Sequence, residues 1–180
     1  MIFATVGTQL PFDRLLSGLN SWAMNNPEVP MLAQSGASKS SFPNLRTVPH
    51  LGQKSFKTHF ESARLVVAHA GMGSILAAAE LGKPIILMPR LARLNEHRND
   101  HQQDTANEMA RLSNVTVVHT EEELHSALDL AVARNFATGR PSVAQMSRDL
   151  DPLIDSIRDF VWTDPRPAPA PAMSFWKAAA

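Results

Sequence analysis

Residues 65–88 read Leu65-Val66-Val67-Ala68-His69-Ala70-Gly71-Met72-Gly73-Ser74-Ile75-Leu76-Ala77-Ala78-Ala79-Glu80-Leu81-Gly82-Lys83-Pro84-Ile85-Ile86-Leu87-Met88, and their reading decides the fold. Leu65–His69 is a short unbroken apolar run with valines at its centre, the pattern of a strand buried on both faces. It stops at Ala70-Gly71. The run Ile75–Leu81 is rich in alanine and leucine and favours helix. Gly82 is placed to end that helix, and Pro84 prevents its continuation. Ile85–Met88 is then a second buried strand, closed by Pro89. Strand, helix, strand in so short a span is the unit of a parallel sheet, because parallel neighbours need a crossover between them.

The same alternation extends both ways. Towards the N-terminus, Ile2–Val6 is a strand ending at Gly7-Thr8. Pro11-Phe12-Asp13 opens a helix with Leu15, Leu16, Leu19 and Trp22 at helical spacing. Met31–Gln34 and Arg46–Leu51 are short strands around a Ser-, Gly- and Lys-rich stretch, Ser35–Asn44, expected to be a mobile loop. Ser55–Ala63 is helical. Towards the C-terminus, Leu91–Asn99 is a charged loop, Asp100–Leu112 a helix and Val115–Val118 a strand. Thr120-Glu121-Glu122-Glu123 is a capping box for a helix to about Ala133. After a break at Thr138–Pro141, Val143–Val161 is expected to be a final amphipathic helix, interrupted near Pro152. The tail Asp164–Ala172 alternates proline and alanine and is expected to be extended and disordered. The chain is therefore expected to be one α/β domain over residues 1–162, a parallel sheet with helices on both faces, followed by a tail over 163–180. Ligands of such sheets bind at the carboxyl ends of the strands. That rule puts Gly7-Thr8, His69–Ser74 and Pro89–Asn99 along one rim.

Composition narrows the partners. Lys plus Arg and Asp plus Glu both number 17, so the chain lacks the cationic excess of a nucleic-acid binder. It contains no cysteine, which excludes disulfides, thiolate metal sites and cysteine nucleophiles. The opening residues have no basic region ahead of a long apolar run, and no run approaches the roughly 18 apolar residues of a membrane span. A cytoplasmic protein is expected.

The turn after Leu65–His69 carries the chemistry. Gly71 and Gly73 leave the backbone bare to a ligand. The helix that follows points its free N–H groups and positive dipole end outward, which suits an anion such as a diphosphate. Ser74 is expected to cap that helix or donate to an oxygen. Neither well-known phosphate loop is present, because Leu76 stands where a dinucleotide fingerprint needs its third glycine and no Gly-Lys-Ser/Thr occurs. Taken alone, the glycines also fit a tight turn with no ligand, and His69 also fits a hydrogen-bonded core histidine. The cluster Asn95–His101 holds histidines and carboxylates, but its spacing fits no ordinary zinc motif. It reads as a gating loop. His50, His59, His119 and His125 have no partner pattern. Asp13 and Arg14 read as capping and surface residues, and Trp22, Trp162 and Trp176 as packing residues. Phe175-Trp176-Lys177 is at most a contact patch.

The combination is more specific than any part. Val67–Leu76, Glu80-Leu81-Gly82-Lys83-Pro84, Met88-Pro89-Arg90 and Asn95–Gln102 together resemble the C-terminal, donor-binding domain of family 28 glycosyltransferases. Those enzymes have the two-domain GT-B architecture. The opening Phe3–Gln9 and Pro11–Leu15 also resemble the short, split members, the Alg13-like and PssE/EpsE-like subunits. The resemblance covers about residues 1–135 and implies a Rossmann-like half of a GT-B fold. It implies a UDP-sugar site made of His69, Ala70, Gly71, Met72, Gly73 and Ser74 around the diphosphate. Pro89 and Arg90 would lie beside the uracil or ribose, and His97, His101 and Gln102 by the sugar or diphosphate. Gly7 and Thr8 would line the acceptor side of the cleft. At Ala77 the chain departs from the family, many of whose members have a ribose-binding glutamate there; Glu80, one turn on, is the nearest carboxylate.

The implied function is that of the UDP-sugar-binding catalytic subunit of a split, inverting hexosyltransferase of exopolysaccharide or glycolipid synthesis. Its expected partner is a membrane-associated subunit that holds a lipid-linked acceptor, supplies the base and draws the chain to the membrane surface. No metal or other cofactor is expected. The alternative is a non-catalytic UDP-sugar sensor or scaffold.

Overall fold

The computed structural model describes residues 1–136. The break at 138–141, the helix expected over Val143–Val161, the domain boundary at 162, and the tail with Trp162 and Trp176 lie outside the described residues. Within them are strands β1 (Ile2–Thr5), β2 (Met31–Gln34), β3 (Arg46–Val48), β4 (Leu65–His69), β5 (Ile85–Met88) and β6 (Val115–Val117). The helices are α1 (Asp13–Asn25), α2 (Gln53–Ser62), α3 (Met72–Glu80), α4 (His101–Met109) and α5 (Glu121–Ala133). All strand pairs are parallel, in the order β3-β2-β1-β4-β5-β6. The fold is the parallel α/β sheet the sequence implies.

Handedness sorts the helices. The chain moves one way from β1 to β2 and the other way from β3 through β4 and β5 to β6. Right-handed crossovers then place α1 on one face and α2, α3 and α4 on the other. On the α1 face, Leu15, Leu16, Leu19 and Trp22 share a core with Leu124, Leu128 and Ala131 of α5 and with Ile2, Ala4, Leu65, Val67 and Ile86 of the sheet. The Trp22 indole N–H donates to Asp129 at 2.7 Å, tying α1 to α5. On the opposite face Phe3 meets Phe56 and Phe60 of α2, with ring centroids 5.4 and 6.2 Å away.

Several local expectations are refined. β3 ends at Val48, short of Leu51, since Pro49 has no N–H to continue the ladder. The stretch Ser35–Asn44 is not free. The Ser35 and Gly36 N–H groups donate to the Val48 and Pro49 carbonyls at 2.9 and 3.0 Å. Ser40 Oγ donates to Asp13 at 2.6 Å, and Phe42 is buried in the core. An aromatic anchor inside a polar run outweighs the run's composition. α3 ends at Glu80, and the chain turns away at Gly82, whose φ is +59°, with the Lys83 N–H returning to the Ala78 carbonyl at 2.8 Å; that left-handed conformation is why glycine stands there. At α5 the Glu123 N–H donates to Thr120 Oγ1, and the Glu123 carboxylate accepts from His119 N–H at 2.6 Å. The box thus closes one residue earlier than its pattern implies. No helix among the described residues is long and apolar enough to cross a membrane.

Candidate functional site

A cleft of about 740 Å³ runs along the carboxyl ends of the strands. The sheet order puts the β4–α3 turn in its middle. The loop after β1 and the segment between β5 and α4 flank that turn, and the ends of β2 and β3 form the far wall.

α3 starts at Met72, with Gly71 as an extended cap residue and no side chain capping the turn. Ser74 is therefore not the cap: it is the third helical residue, and its side chain is largely buried. Among the described residues no oxygen accepts from the N–H of Met72 or Gly73. These orphan donors sit at the positive end of the helix dipole. The glycines divide the work. A Cβ on Gly73 would meet nothing within 4 Å, so this backbone is open to the cleft. A Cβ on Gly71 would run into the His69 imidazole, and one on Gly7, whose φ is +76°, would come 2.7 Å from His69 Cε1. Gly7 and Gly71 thus make room for the ring.

Burial pushes the His69 pKa down to about 4, helped by the positive Arg90. The ring is neutral at pH 7, and its buried Nδ1 has no hydrogen-bond partner among the described residues. His97 and His101 line the opposite wall with ring centroids 4.5 Å apart, edge to face. His97 Nδ1 is buried without a partner among the described residues, and His101 Nδ1 pairs with the Asn99 side chain. Gln102 is buried and its Oε1 accepts from the Arg90 N–H at 3.2 Å.

Arg90 is 1% exposed. Its Nη1 donates to the Pro11 and Glu96 carbonyls at 2.8 and 2.9 Å, and its Nη2 to those of Val6 and Leu10, both at 2.7 Å. The guanidinium lies over the Phe12 ring, 4.6 Å from its centroid. Burial lowers its pKa to about 10 against the opposing pull of Glu96, so it stays charged at neutral pH. Arg90 is on the cleft lining as expected, but its Nη1 and Nη2 groups are committed to these carbonyls, so it also staples the loops that form the cleft floor. Pro89 is not on the lining, and its carbonyl accepts from Arg14 at 2.8 Å. Glu80 is exposed at the far end of α3 and outside the cleft, because only the first turn of that helix reaches the ligand side. Arg14 is no free surface residue either, since it pairs with Glu96 at 2.8 Å.

The other expected residues, Gly7, Thr8 and the whole His69–Ser74 turn, share the lining. Sequence reasoning missed Thr5, Val6, Gln34, His50, Leu51, Gln53 and Phe56, which complete it, along with Gln9 and Thr105. Thr5 and Gln34 pair in register at the ends of β1 and β2, where the Thr5 hydroxyl donates to Gln34 Oε1 at 3.1 Å. The strand-end rule could have found them. Among the described residues no aspartate or glutamate lines the cleft. The described residues hold no cluster of three or more metal-ligating side chains.

Residues 1–149 match the glycosyltransferase family 28 C-terminal domain. The chain belongs to that family. No curated protein sequence matches it. Among solved structures, it is similar to MurG of Acinetobacter baumannii, with 18% identity over 87% of this chain and 49% of that one and a TM-score of 0.57. A glycotransferase of kitacinnamycin gives 18% identity over 88% of this chain and 42% of its own, with the same TM-score of 0.57. ALG13 gives 20% identity over 84% of this chain and 93% of its own, again at 0.57. The chain thus spans less than half of the first two and nearly all of the third.

Proposed function

We propose that this chain is the UDP-sugar-binding catalytic subunit of a split, inverting hexosyltransferase. It would act with a membrane-associated subunit that holds a lipid-linked acceptor, in exopolysaccharide or glycolipid synthesis. The observation that carries this reading is the uncapped start of α3, where bare backbone opens into a cleft without a carboxylate among the described residues. A diphosphate there meets two orphan N–H groups and the helix dipole. Leu51 and Phe56 on the β3 side suit a flat nucleobase. His97, His101 and Gln102 on the β5 side offer donors and acceptors to sugar hydroxyls.

In transfer, the acceptor oxygen bonds to the anomeric carbon from the face opposite UDP. The bond to the diphosphate oxygen breaks, UDP leaves with the electron pair, and the acceptor proton passes to a base. The start of α3 stabilises the charge growing on the diphosphate, with donors already oriented. This fixed polarity fills the role a divalent cation would otherwise take. The base is assigned to the acceptor subunit, because among the described residues no carboxylate lines this cleft and the His69 pKa of about 4 is poorly matched to neutral pH. Full-length likeness to ALG13, beside half-length likeness to MurG, supports a two-chain enzyme.

The test is calorimetric titration with UDP and a panel of UDP-sugars, alone and with the acceptor subunit, followed by a transfer assay. Binding alone and transfer only with the partner are expected. No binding to any UDP compound would refute the reading, and binding without transfer in the reconstituted pair would assign the chain as a sensor.

A further inference from the structure

We infer that Arg14 and Glu96 are positioning residues whose ion pair aims the sugar-side His97 of the β5–α4 segment into the cleft. This rests on the donor-site reading above. Glu96, immediately before His97, is 7% exposed within a loop of charged residues. Its carboxylate accepts from Arg14 Nε at 2.8 Å and Nη2 at 2.9 Å, a two-pronged pair, and from the Leu91 N–H at 2.9 Å. Its backbone carbonyl accepts from Arg90 Nη1 at 2.9 Å. The residue before His97 is therefore held at both its side chain and its main chain.

The Arg14 guanidinium joins three segments distant in sequence. It stands in the first turn of α1 and also donates to the Pro89 carbonyl at the end of β5, at 2.8 Å, and to the His119 carbonyl before α5, at 3.0 Å. The loop closes on itself as well. Asn95 is left-handed, with φ 56°, and Asp100 Oδ1 accepts from the Ala92 N–H at 2.8 Å. Planar guanidinium–carboxylate pairs fix direction as well as distance. Lysine cannot reproduce that fork. Without the pair, the Arg90 bond and the Asp100 turn still retain the loop, but the Glu96 side chain no longer fixes the direction of its inner edge. The α3 turn, held by Gly7, His69 and Gly71, does not depend on Arg14. Sugar recognition is thus separable from diphosphate recognition.

Glu96→Gln and Arg14→Lys in the full chain test this. Each variant is titrated with UDP and with UDP-glucose, UDP-galactose, UDP-N-acetylglucosamine and UDP-glucuronic acid, and amide hydrogen exchange is followed over residues 91–100. Affinity for UDP is expected to stay near the wild-type value. Affinity for the best-binding UDP-sugar is expected to fall about tenfold or more, as misplaced groups do, and exchange over 91–100 to quicken while that of α3 stays unchanged. Equal weakening of UDP and UDP-sugar, or no weakening, overturns the proposal and leaves the donor site standing. A wild-type chain that binds no UDP compound fails the donor reading itself. Arg14→Lys carries the test if Glu96→Gln unfolds below the assay temperature.

Discussion

Replacing Gly71 by alanine puts a methyl group where the His69 ring sits, while replacing Gly73, two residues on, puts one in open space. Gly71 has φ −99°, a backbone any residue adopts, so the conflict is steric and confined to the ring. Inserting a methyl into a packed site costs about 1–3 kcal/mol. Gly73 lies within α3, where alanine is favoured over glycine by roughly 0.5–1 kcal/mol. Guanidinium chloride unfolding should therefore show the two substitutions moving stability in opposite directions. His69→Ala removes the obstacle, so Gly71→Ala on that background should be nearly neutral. The resulting coupling energy is about 1–3 kcal/mol between residues in contact. Equal destabilisation by Gly71→Ala with and without His69, or a Gly73→Ala penalty as large as that of Gly71→Ala, would refute the idea that His69 reserves the space beside Gly71.

Gly73→Asp should abolish UDP binding in calorimetry while leaving the unfolding midpoint near wild type, because it brings negative charge to the start of α3 without a clash. Glu80→Ala should leave UDP affinity unchanged, since that side chain lies outside the cleft. The His69 pKa of about 4 lies below the ordinary value of 6.5, so as pH falls through this window the unfolded chain takes up a proton that the folded chain refuses. Stability should drop by about 2 kcal/mol from this group between pH 7 and 5, and His69→Gln should flatten the denaturation profile there. Arg90→Ala strands four carbonyls gathered from two loops; a loss on the order of 3–5 kcal/mol is expected in chemical denaturation, with Arg90→Lys restoring only part.

What was legible in the sequence was local. The β4 and β5 boundaries and the end of α3 follow from apolar runs and from the breakers Gly71, Gly82 and Pro84, each acting within a turn or two of itself. The anion-binding end of α3 was legible for the same reason, since bare glycines and a helix start are neighbours in the chain. Ser74 was misplaced by three residues because Gly71 takes the cap position without needing a side-chain oxygen.

The charged residues were not legible, because their partners are remote. Arg90 bonds the Val6 carbonyl 84 positions away, and Arg14 reaches Glu96 82 positions away. A guanidinium reads as surface or ligand contact until the sheet order brings carbonyls beneath it. Likewise, Leu51 and Phe56 join the cleft only because β3 ends on the same rim as β4. The sequence by itself determined the alternation of elements and the phosphate-suited turn, because both depend on dihedral preferences and periodic burial. Tertiary structure alone decided which side chains complete the cleft and which hold it in shape, because burying a charge requires partners that only the folded sheet assembles.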